Sequence, residues 1–217
     1  MQKLKILNKG IYNVYKPLGP TSHDMVDLVR RLSGERRVGH AGTLDPFAEG
    51  VLIVAVGREY TKQLGNFLKQ DKIYEATLYL GANTDTGDLT GKILPVKVAT
   101  RPTRKEITQV LKKFTGEINQ TPPLYSAIKL NGKKAYELAR HGQTPQLAPR
   151  LITIYSLKLI SYRWPNLKIE TKVSSGTYIR SLAFDIGAEL KTGAYLEKLI
   201  RIAVGKFTIA ESLKVVS

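Results

Sequence analysis

The 217-residue chain contains no cysteine, three histidines and one tryptophan. Without cysteine it can form no disulfide, no thiolate nucleophile and no zinc site with sulfur ligands. The histidines stand far apart, at positions 23, 40 and 141, with no H-x-x-x-H pair. We therefore expect neither a metal site nor chemistry that depends on sulfur.

Long hydrophobic runs are also missing. The longest uninterrupted aliphatic run is Val51–Val56, far shorter than the ~18 residues that a membrane span needs. The N-terminal segment MQKLKILNKG is basic but lacks the apolar region of a secretory signal. The phosphate-binding patterns G-x-G-x-x-G and G-x-x-x-x-G-K-[ST] are absent as well. We therefore expect a cytoplasmic protein with no membrane contact and no doubly wound nucleotide-binding fold.

Negative charge is scarce relative to positive charge. The chain has 34 Lys and Arg against 18 Asp and Glu, a formal net charge of +16. Residues 38–96 carry slightly more acid than base, whereas the segments 1–37, 97–150 and 151–217 are each net positive. A near-neutral block between basic ones is typical of a site surrounded by a polyanion-binding surface. On charge alone, an ordinary solvated surface remains the alternative.

Hydrophobic periodicity predicts an α+β fold. Residues 72–80 and 167–173 alternate as half-buried strands, and the aliphatic run between Gly50 and Gly57 indicates a strand buried on both faces. Amphipathic helices are predicted from Thr21–Ser22 to about Leu32, from a capping box at Thr103, and around 179–190. Short turns separate strands as often as helices do, so we expect a mixed, largely antiparallel sheet flanked by helices, in one domain.

The segment 125–150 differs from the rest of the chain. It is basic, holds a short helical stretch around Lys133–Arg140, and continues into a Gly/Gln/Pro-rich stretch with little to bury. Such a thumb-like insertion is suited to closing over a nucleic-acid backbone, and an ordinary surface loop is the alternative. The candidate RNA-contacting side chains in it are Lys129, Lys133, Lys134 and Arg140.

Asp45 lies in the densest cluster of unusual residues, VGHAGTLDPFAEG at 38–50. Three glycines in this cluster permit a left-handed backbone or close approach of a ligand, and Pro46 stiffens the chain directly after the aspartate. A stiff loop presenting a carboxylate suits catalysis. An aspartate in such a turn is also a common turn-former, so both interpretations stay open at this point.

Arg180 falls in the first turn of the helix predicted from Ile179. The helix dipole disfavours a cation there by about 0.3–1 kcal/mol. Its position next to Ile179 is expected to point it away from the apolar stripe. We therefore expect an anion, a carboxylate or a phosphate, to hold it, and an exposed arginine is the alternative.

Five blocks of the sequence together resemble the TruB family of tRNA pseudouridine synthases. They keep the family's order and cover the chain from about Gly10 to Phe207. The blocks are YNVYKPLGPTSHDMV, GHAGTLDPFAEG, DKIYEATLYLGANTDTGDLTG, TPPLYSAIKLNGKKAYELARHG and SSGTYIRSLAFDIGAEL. A match to one such block would be weak evidence, whereas matches to five blocks in the family's order make the resemblance specific.

The resemblance implies a pseudouridine-synthase fold and isomerisation of the T-loop uridine (uridine 55) of tRNA to pseudouridine, without metal or cofactor. Asp45 matches the family's essential aspartate, and Arg180 matches the arginine that pairs with it. Tyr74 matches the tyrosine that stacks on the flipped base, although its apolar strand face also suits a core tyrosine. Whether Asp45 adds to the base, attacks the sugar carbon or removes a sugar proton stays open.

Further matches imply supporting roles. Tyr178 and Leu199 correspond to residues that line the uracil pocket, and His40 to the histidine that contacts RNA as the base is turned out. Lys16 and Pro17 match the K-P motif that supports the active-site loop.

The chain also departs from the family pattern. Phe47 stands where leucine is common, and Tyr60 where a small residue is usual. The chain stops at Ser217, whereas many bacterial relatives continue into an RNA-binding domain of the PUA type. We therefore expect a single catalytic domain over residues 1–217 without a PUA domain, acting as a monomer on the T-stem-loop of tRNA. The alternatives are a guide-RNA-dependent synthase, a catalytically silent RNA-binding or tRNA-folding protein, and a base-excising glycosylase.

Neutralising Lys133, Lys134 and Arg140 together is expected to weaken tRNA binding and to flatten its salt dependence. Each lost phosphate contact lowers the slope of log affinity against log salt by about 0.7–0.9. Filter binding over a salt series measures that slope. An unchanged slope would remove the segment 125–150 from the RNA interface.

Overall fold

The computed structural model describes residues 7–126, 128–130, 132–140, 142–143 and 145–215, with the backbone alone at positions 129, 133, 134, 136 and 140. These residues form two compact units. Unit 1 comprises the described residues up to Glu75 and from Leu199 onward, and unit 2 comprises the described part of Ala76–Lys198. No helix within these ranges is long and apolar enough to cross a membrane.

The secondary structure alternates short helices with many strands. The strands are β1 (Gly10–Lys16), β2 (Val38–Ala41), β3 (Ala48–Val56), β4 (Lys72–Leu80), β5 (Ala82–Thr84), β6 (Ile93–Pro95), β7 (Gly116–Gln120), β8 (Lys129–Leu130), β9 (Lys133–Lys134), β10 (Arg150–Arg163), β11 (Asn166–Val173), β12 (Ala194–Val204), β13 (Phe207–Thr208) and β14 (Leu213–Lys214). The helices are α1 (Ser22–Ser33), α2 (Arg58–Thr61), α3 (Leu64–Leu68), α4 (Arg104–Lys113), α5 (Ala135–Arg140) and α6 (Ile179–Glu189), and a 3₁₀ turn spans Ile209–Glu211. Most described strand pairs are antiparallel, which confirms the α+β class and the mixed sheet.

Two predicted helices begin at their capping boxes. The Thr21 side chain accepts a hydrogen bond from the Asp24 backbone N–H, while the Asp24 carboxylate accepts one from the Thr21 backbone. Thr103 and Glu106 form the same reciprocal pair at the start of α4. Each pair satisfies backbone donors that a helix start leaves unbonded, so both helix starts could be predicted from sequence.

Strand β3 is the centre of unit 1. It pairs antiparallel with β1 and β2 and parallel with β12. Its residues Val51–Val56 are completely buried. Leu52, Val54 and Val56 pack with the apolar side of α1, while Val51 and Ile53 belong to a second apolar cluster. Both faces are therefore covered, as predicted from its uninterrupted aliphatic sequence.

Unit 2 contains a second group of paired strands. β11 pairs antiparallel with β10, and β10 pairs antiparallel with β7. β4, whose residues from Ala76 onward belong to this unit, lies on the other side of β11. The predicted alternation in β4 is confirmed, because every second residue from Lys72 to Leu80 is buried. Helices α4 and α6 bury their apolar sides, and α4 packs on β10.

Within the predicted insertion, the described backbone forms the short antiparallel pair β8 and β9, followed by α5. The helix thus begins at Ala135, and the two lysines before it belong to a strand. The side chains of Lys129, Lys133, Lys134 and Arg140 lie outside the described residues, so their RNA contacts stay a prediction.

Gly50 lets β12 approach β3. It adopts a left-handed φ of 113° and lies opposite Arg201 in the parallel register of the two strands. A Cβ at this position would overlap the backbone carbonyl of Arg201. Only glycine therefore suits this backbone without displacement of β12.

Gly50→Ala is expected to lower the free energy of unfolding by about 2 kcal/mol or more. A left-handed residue other than glycine costs about 1–3 kcal/mol, and the overlap with Arg201 adds to that cost. Urea denaturation measures the change. The control is Gly65→Ala in α3, where an added Cβ meets no atom within 4 Å and alanine is expected to be neutral or stabilising by up to about 1 kcal/mol. Equal free energies for the two variants would contradict the requirement for glycine at position 50.

Candidate active site

Asp45 is presented on the loop between β2 and β3. Its side chain is half-buried, while the side chains of Leu44 and Phe47 on either side of it are buried and anchor the loop. The Ser22 hydroxyl donates to the Leu44 carbonyl at 3.0 Å and accepts from the Leu44 N–H at 2.8 Å. Ala48 N–H donates to the Asp45 carbonyl at 3.0 Å. The backbone that carries the carboxylate is therefore fixed at several points.

Lys16 is fully buried beneath this loop. Its ammonium donates to the backbone carbonyls of Pro17, Pro46 and Ala48 at 2.9, 3.3 and 2.6 Å. Burial lowers the pKa of Lys16 to about 8, and the nearby charge of Asp45 opposes that shift. The ammonium thus joins β1 to both sides of the Pro46–Ala48 turn, and the supporting role of Lys16 and Pro17 stays a prediction.

His40 and Leu199 lie beside the same loop. His40 is on β2, and its Nε2 lies 3.3 Å from the Thr43 hydroxyl. Burial, assisted by the charges of His23 and Arg201, lowers the pKa of His40 and favours the neutral imidazole. Leu199 on β12 is buried and lies opposite Ala48 of β3.

Tyr74 lies on the buried face of β4 and is 8% exposed. Burial alone suits both interpretations of this residue, a core tyrosine and a residue of a closed pocket. Unit 1 thus contains Asp45, Tyr74, His40 and Leu199 of the predicted site, together with the supporting Lys16.

Arg180 and Tyr178 belong to unit 2. Arg180 lies in the first turn of α6, as predicted, and it is only 7% exposed, so the alternative of an exposed arginine was wrong. Its guanidinium donates to the carbonyls of Thr86 and Tyr125 at 3.0 and 2.8 Å. It also lies 3.7 Å from the Asp88 carboxylate. These partners offset the cost of burying a cation at a helix N-terminus.

Asp88 is a buried residue that the sequence analysis missed. Its Oδ1 accepts hydrogen bonds from the Thr86 hydroxyl and the Thr90 N–H, both at 2.9 Å, and from the Thr90 hydroxyl. Its Oδ2 faces Arg180. The spacing Thr-x-Asp-x-Thr is the signal that could have identified it, because threonines two residues away on each side can bond a central carboxylate.

Gln120 was also missed. Its side-chain oxygen accepts from the Tyr178 N–H at 2.8 Å, and its side-chain nitrogen donates to the Tyr178 carbonyl at 3.1 Å. Gln120 is 2% exposed, so this two-point contact is shielded from water. It fixes the backbone where α6 begins and therefore positions both Tyr178 and Arg180.

Two cavities of unit 2, of about 670 and 510 Å³, are lined by residues of α4, α6 and neighbouring segments and by none of the predicted site residues. In the part of the chain that the structure describes, no group of three or more His, Cys, Asp or Glu side chains is arranged to hold a metal ion.

Solved structures share this fold. A chain in the crystal structure of a Cbf5–Nop10–Gar1 complex matches 94% of this chain with 30% identity and a TM-score of 0.72. A chain of an H/ACA RNP bound to a substrate RNA containing 2'-deoxyuridine matches 92% with 29% identity and a TM-score of 0.67. The present chain spans about half the length of each of these two chains.

Sequence comparisons identify the family. A model of the TruB family pseudouridylate synthase (N terminal domain) matches residues 30–179. The tRNA pseudouridine synthase B of Dehalococcoides mccartyi (strain CBDB1) is 46% identical over 204 residues, which cover 94% of this chain and 68% of the relative. The protein of the same name from Clostridium acetobutylicum is 45% identical over 204 residues and is covered to 70%. The fold is therefore a pseudouridine-synthase fold. Within that class, the chain belongs to the TruB family.

Asp88→Asn is expected to lower the free energy of unfolding by about 3 kcal/mol. Breaking a buried ion pair typically costs about 3–5 kcal/mol. Here the carbonyls of Thr86 and Tyr125 still accept from Arg180, and the amide still accepts some of the threonine bonds. Urea denaturation measures the change. The matched control is Asp85→Asn, an exposed carboxylate of the same loop, for which a change below about 1 kcal/mol is expected. A similar small change in Asp88→Asn would show that Asp88 does not stabilise buried Arg180.

Proposed function

We propose that this chain is a tRNA pseudouridine synthase that isomerises the T-loop uridine of tRNA, with Asp45 as the catalytic carboxylate. The observation that carries the proposal is the position of Asp45 on a loop fixed by buried side chains, in a chain about 45% identical to enzymes named tRNA pseudouridine synthase B. The relatives act on tRNA by name, and this favours tRNA over a guide-RNA-dependent substrate.

The reaction is an isomerisation. The bond between N1 of uracil and C1' of the ribose breaks, a bond between C5 of uracil and C1' forms, and the proton lost from C5 is balanced by the proton gained at N1. No oxidant, reductant or second substrate is needed. The enzyme must therefore supply a charged group at the ribose or base, a way to hold the detached ring, and a path for one proton.

An ionised Asp45 can serve each of the three paths open to it, addition to the base, attack at the ribose carbon or removal of a ribose proton. Burial alone would favour the neutral acid. The Lys16 ammonium lies close enough to Asp45 for their charges to interact, and a neighbouring cation favours the ionised carboxylate. The loop thus presents Asp45 rigidly and beside a buried cation.

The other matched residues take supporting parts in this proposal. Tyr74 stacks on the flipped uracil and assists removal of the C5 proton, Tyr178 and Leu199 line the uracil pocket, and His40 contacts the RNA while the base is turned out. Arg180 is a further proposed catalytic residue, as the resemblance to the family implies, and Asp88 is its positioning residue.

The RNA backbone is bound by the positive surface of the chain. The net charge of +16 supports this, since phosphate contacts by Lys and Arg supply most of the sequence-independent affinity for nucleic acid. The insertion with Lys129, Lys133, Lys134 and Arg140 is the proposed thumb. A single catalytic domain, a monomeric state, a cytoplasmic location and the absence of metal and cofactor stay predictions.

Asp45→Asn is expected to lower turnover by at least about a thousandfold while leaving tRNA affinity within about threefold, because the amide keeps the shape of the side chain but carries no charge and cannot act as nucleophile or base. The measurement is pseudouridine formation and free uracil release on unmodified tRNA, with affinity determined in parallel by filter binding.

The control is Asp27→Asn, which removes a half-exposed carboxylate paired with Arg30 and should leave turnover unchanged. Substantial multiple turnover by Asp45→Asn would show that another carboxylate is catalytic. Release of free uracil by the unmodified protein would favour excision, and unchanged uridine would favour an RNA-binding protein without catalysis.

A further inference from the structure

Arg201 is a buried cation outside the set of residues identified above as catalytic. It lies on β12 and is 1% exposed. Its Nε donates to the Val51 carbonyl at 2.8 Å, and one terminal nitrogen donates to the Gly42 carbonyl, also at 2.8 Å. Both of these partners are backbone carbonyls rather than carboxylates.

These two carbonyls lie on opposite sides of Asp45 in the chain. Gly42 begins the loop in a left-handed conformation with φ of 73°, and Val51 belongs to β3, the strand that leaves the loop. The guanidinium therefore bridges the two sides of the β2–β3 turn. Lys16 bonds a different part of the same turn, the carbonyls of Pro46 and Ala48. The two cations together hold both sides of Asp45.

Burying a guanidinium is costly unless hydrogen bonds and opposite charge compensate for its lost hydration. An apolar side chain of similar volume would fill the same space without that desolvation cost. The planar guanidinium of arginine, by contrast, can donate to two carbonyls at the same time and in fixed directions. Arg201 lies opposite Gly50 in the pairing of β12 with β3, and this pairing fixes the backbone position of Arg201. The arrangement is therefore suited to fixing the geometry of the turn.

We propose that Arg201 is a positioning residue for Asp45, in that its guanidinium fixes the Gly42 side of the catalytic loop and adds positive charge beneath it. The inference rests on the proposed role of Asp45. It assigns no contact of Arg201 with RNA or with the reacting atoms.

The charge of Arg201 also acts on Lys16. Lys16 faces the carboxylates of Asp45, Glu49 and Asp24, which favour its ammonium form, and Arg201, which disfavours it. Because its pKa is about 8, Lys16 loses its proton in mildly alkaline solution, and the loop then loses one donor and one positive charge. Removing the charge of Arg201 should raise the pKa of Lys16, since the repulsion between the two cations disappears.

The test is Arg201→Met, with turnover and tRNA affinity measured from pH 6.5 to 9.5 and normalised to the folded fraction. Turnover per folded molecule should fall by about 10–100-fold, since a misplacement of about 1 Å can cost 10²-fold. Affinity for tRNA should stay within about threefold. The alkaline fall in turnover should move to higher pH, a shift that simple loss of stability does not produce.

The matched control is Lys72→Met. Lys72 is also buried, and its ammonium bonds the carbonyls of Leu68 and Gln70 rather than the Asp45 loop. Burial, and after it the charge of Arg201, lower its pKa to about 8 as well, so this variant tests whether Lys72 rather than Lys16 causes the alkaline fall in turnover. This variant should lose stability but keep its turnover per folded molecule. Its turnover should still fall at the same alkaline pH as in the unmodified protein. If turnover of Lys72→Met no longer fell at alkaline pH, the assignment of that fall to Lys16 would be overturned.

Arg201→Lys separates charge from geometry and serves if Arg201→Met does not fold. The lysine keeps a positive charge, so the alkaline fall in turnover should return towards the pH seen in the unmodified protein. It cannot reproduce both directed hydrogen bonds, so turnover should recover only in part. Full turnover per folded molecule in both Arg201 variants would overturn the positioning role. Failure of the proposed function is a separate outcome, because an active Asp45→Asn protein would disprove the role of Asp45 whatever the Arg201 variants show.

Discussion

The close pairing of β12 with β3 at Gly50 is the constraint on which the rest of the Asp45 loop depends. Because Gly50 has no side chain, the backbone of Arg201 can lie directly against β3. That approach places Leu199 opposite Ala48 and brings the guanidinium of Arg201 to the carbonyls of Gly42 and Val51. The fully buried aliphatic residues of β3 make the strand a rigid base, so the loop that precedes it is rigid too.

The two units hold their charged residues by the same physical means. In unit 1, the ammonium of Lys16 is satisfied by carbonyls of the turn that it supports. In unit 2, the guanidinium of Arg180 is satisfied by the carbonyls of Thr86 and Tyr125 and by Asp88. In both cases a buried cation donates hydrogen bonds to backbone carbonyls of a loop, and these bonds fix the conformation of that loop.

Much of the fold follows from local sequence, because capping boxes, alternation in β4 and the aliphatic run in β3 are short-range signals. Strand β10 was not predicted, since its register shifts near Ser156 and Ser161 interrupt the two-residue period that reveals a strand. The site shows the same limit. Asp45 is recognisable from its glycines and proline, whereas Gln120 contacts Tyr178 from 58 residues away, and the burial of Arg180 depends on loops that its own helix does not specify.

The loop around Asp45 is supported mainly through main-chain atoms, and this has a consequence for how its sequence can vary. Every residue type supplies a carbonyl, so the bonds from Lys16 and Arg201 do not depend on which side chains the turn carries. Phe47 in place of the leucine common in the family needs only to fill its buried site. A library randomised at exposed Thr43 should therefore retain many folded members, and one at buried Phe47 should retain those with apolar residues, whereas randomisation at Lys16, Gly50 or Arg201 should retain few.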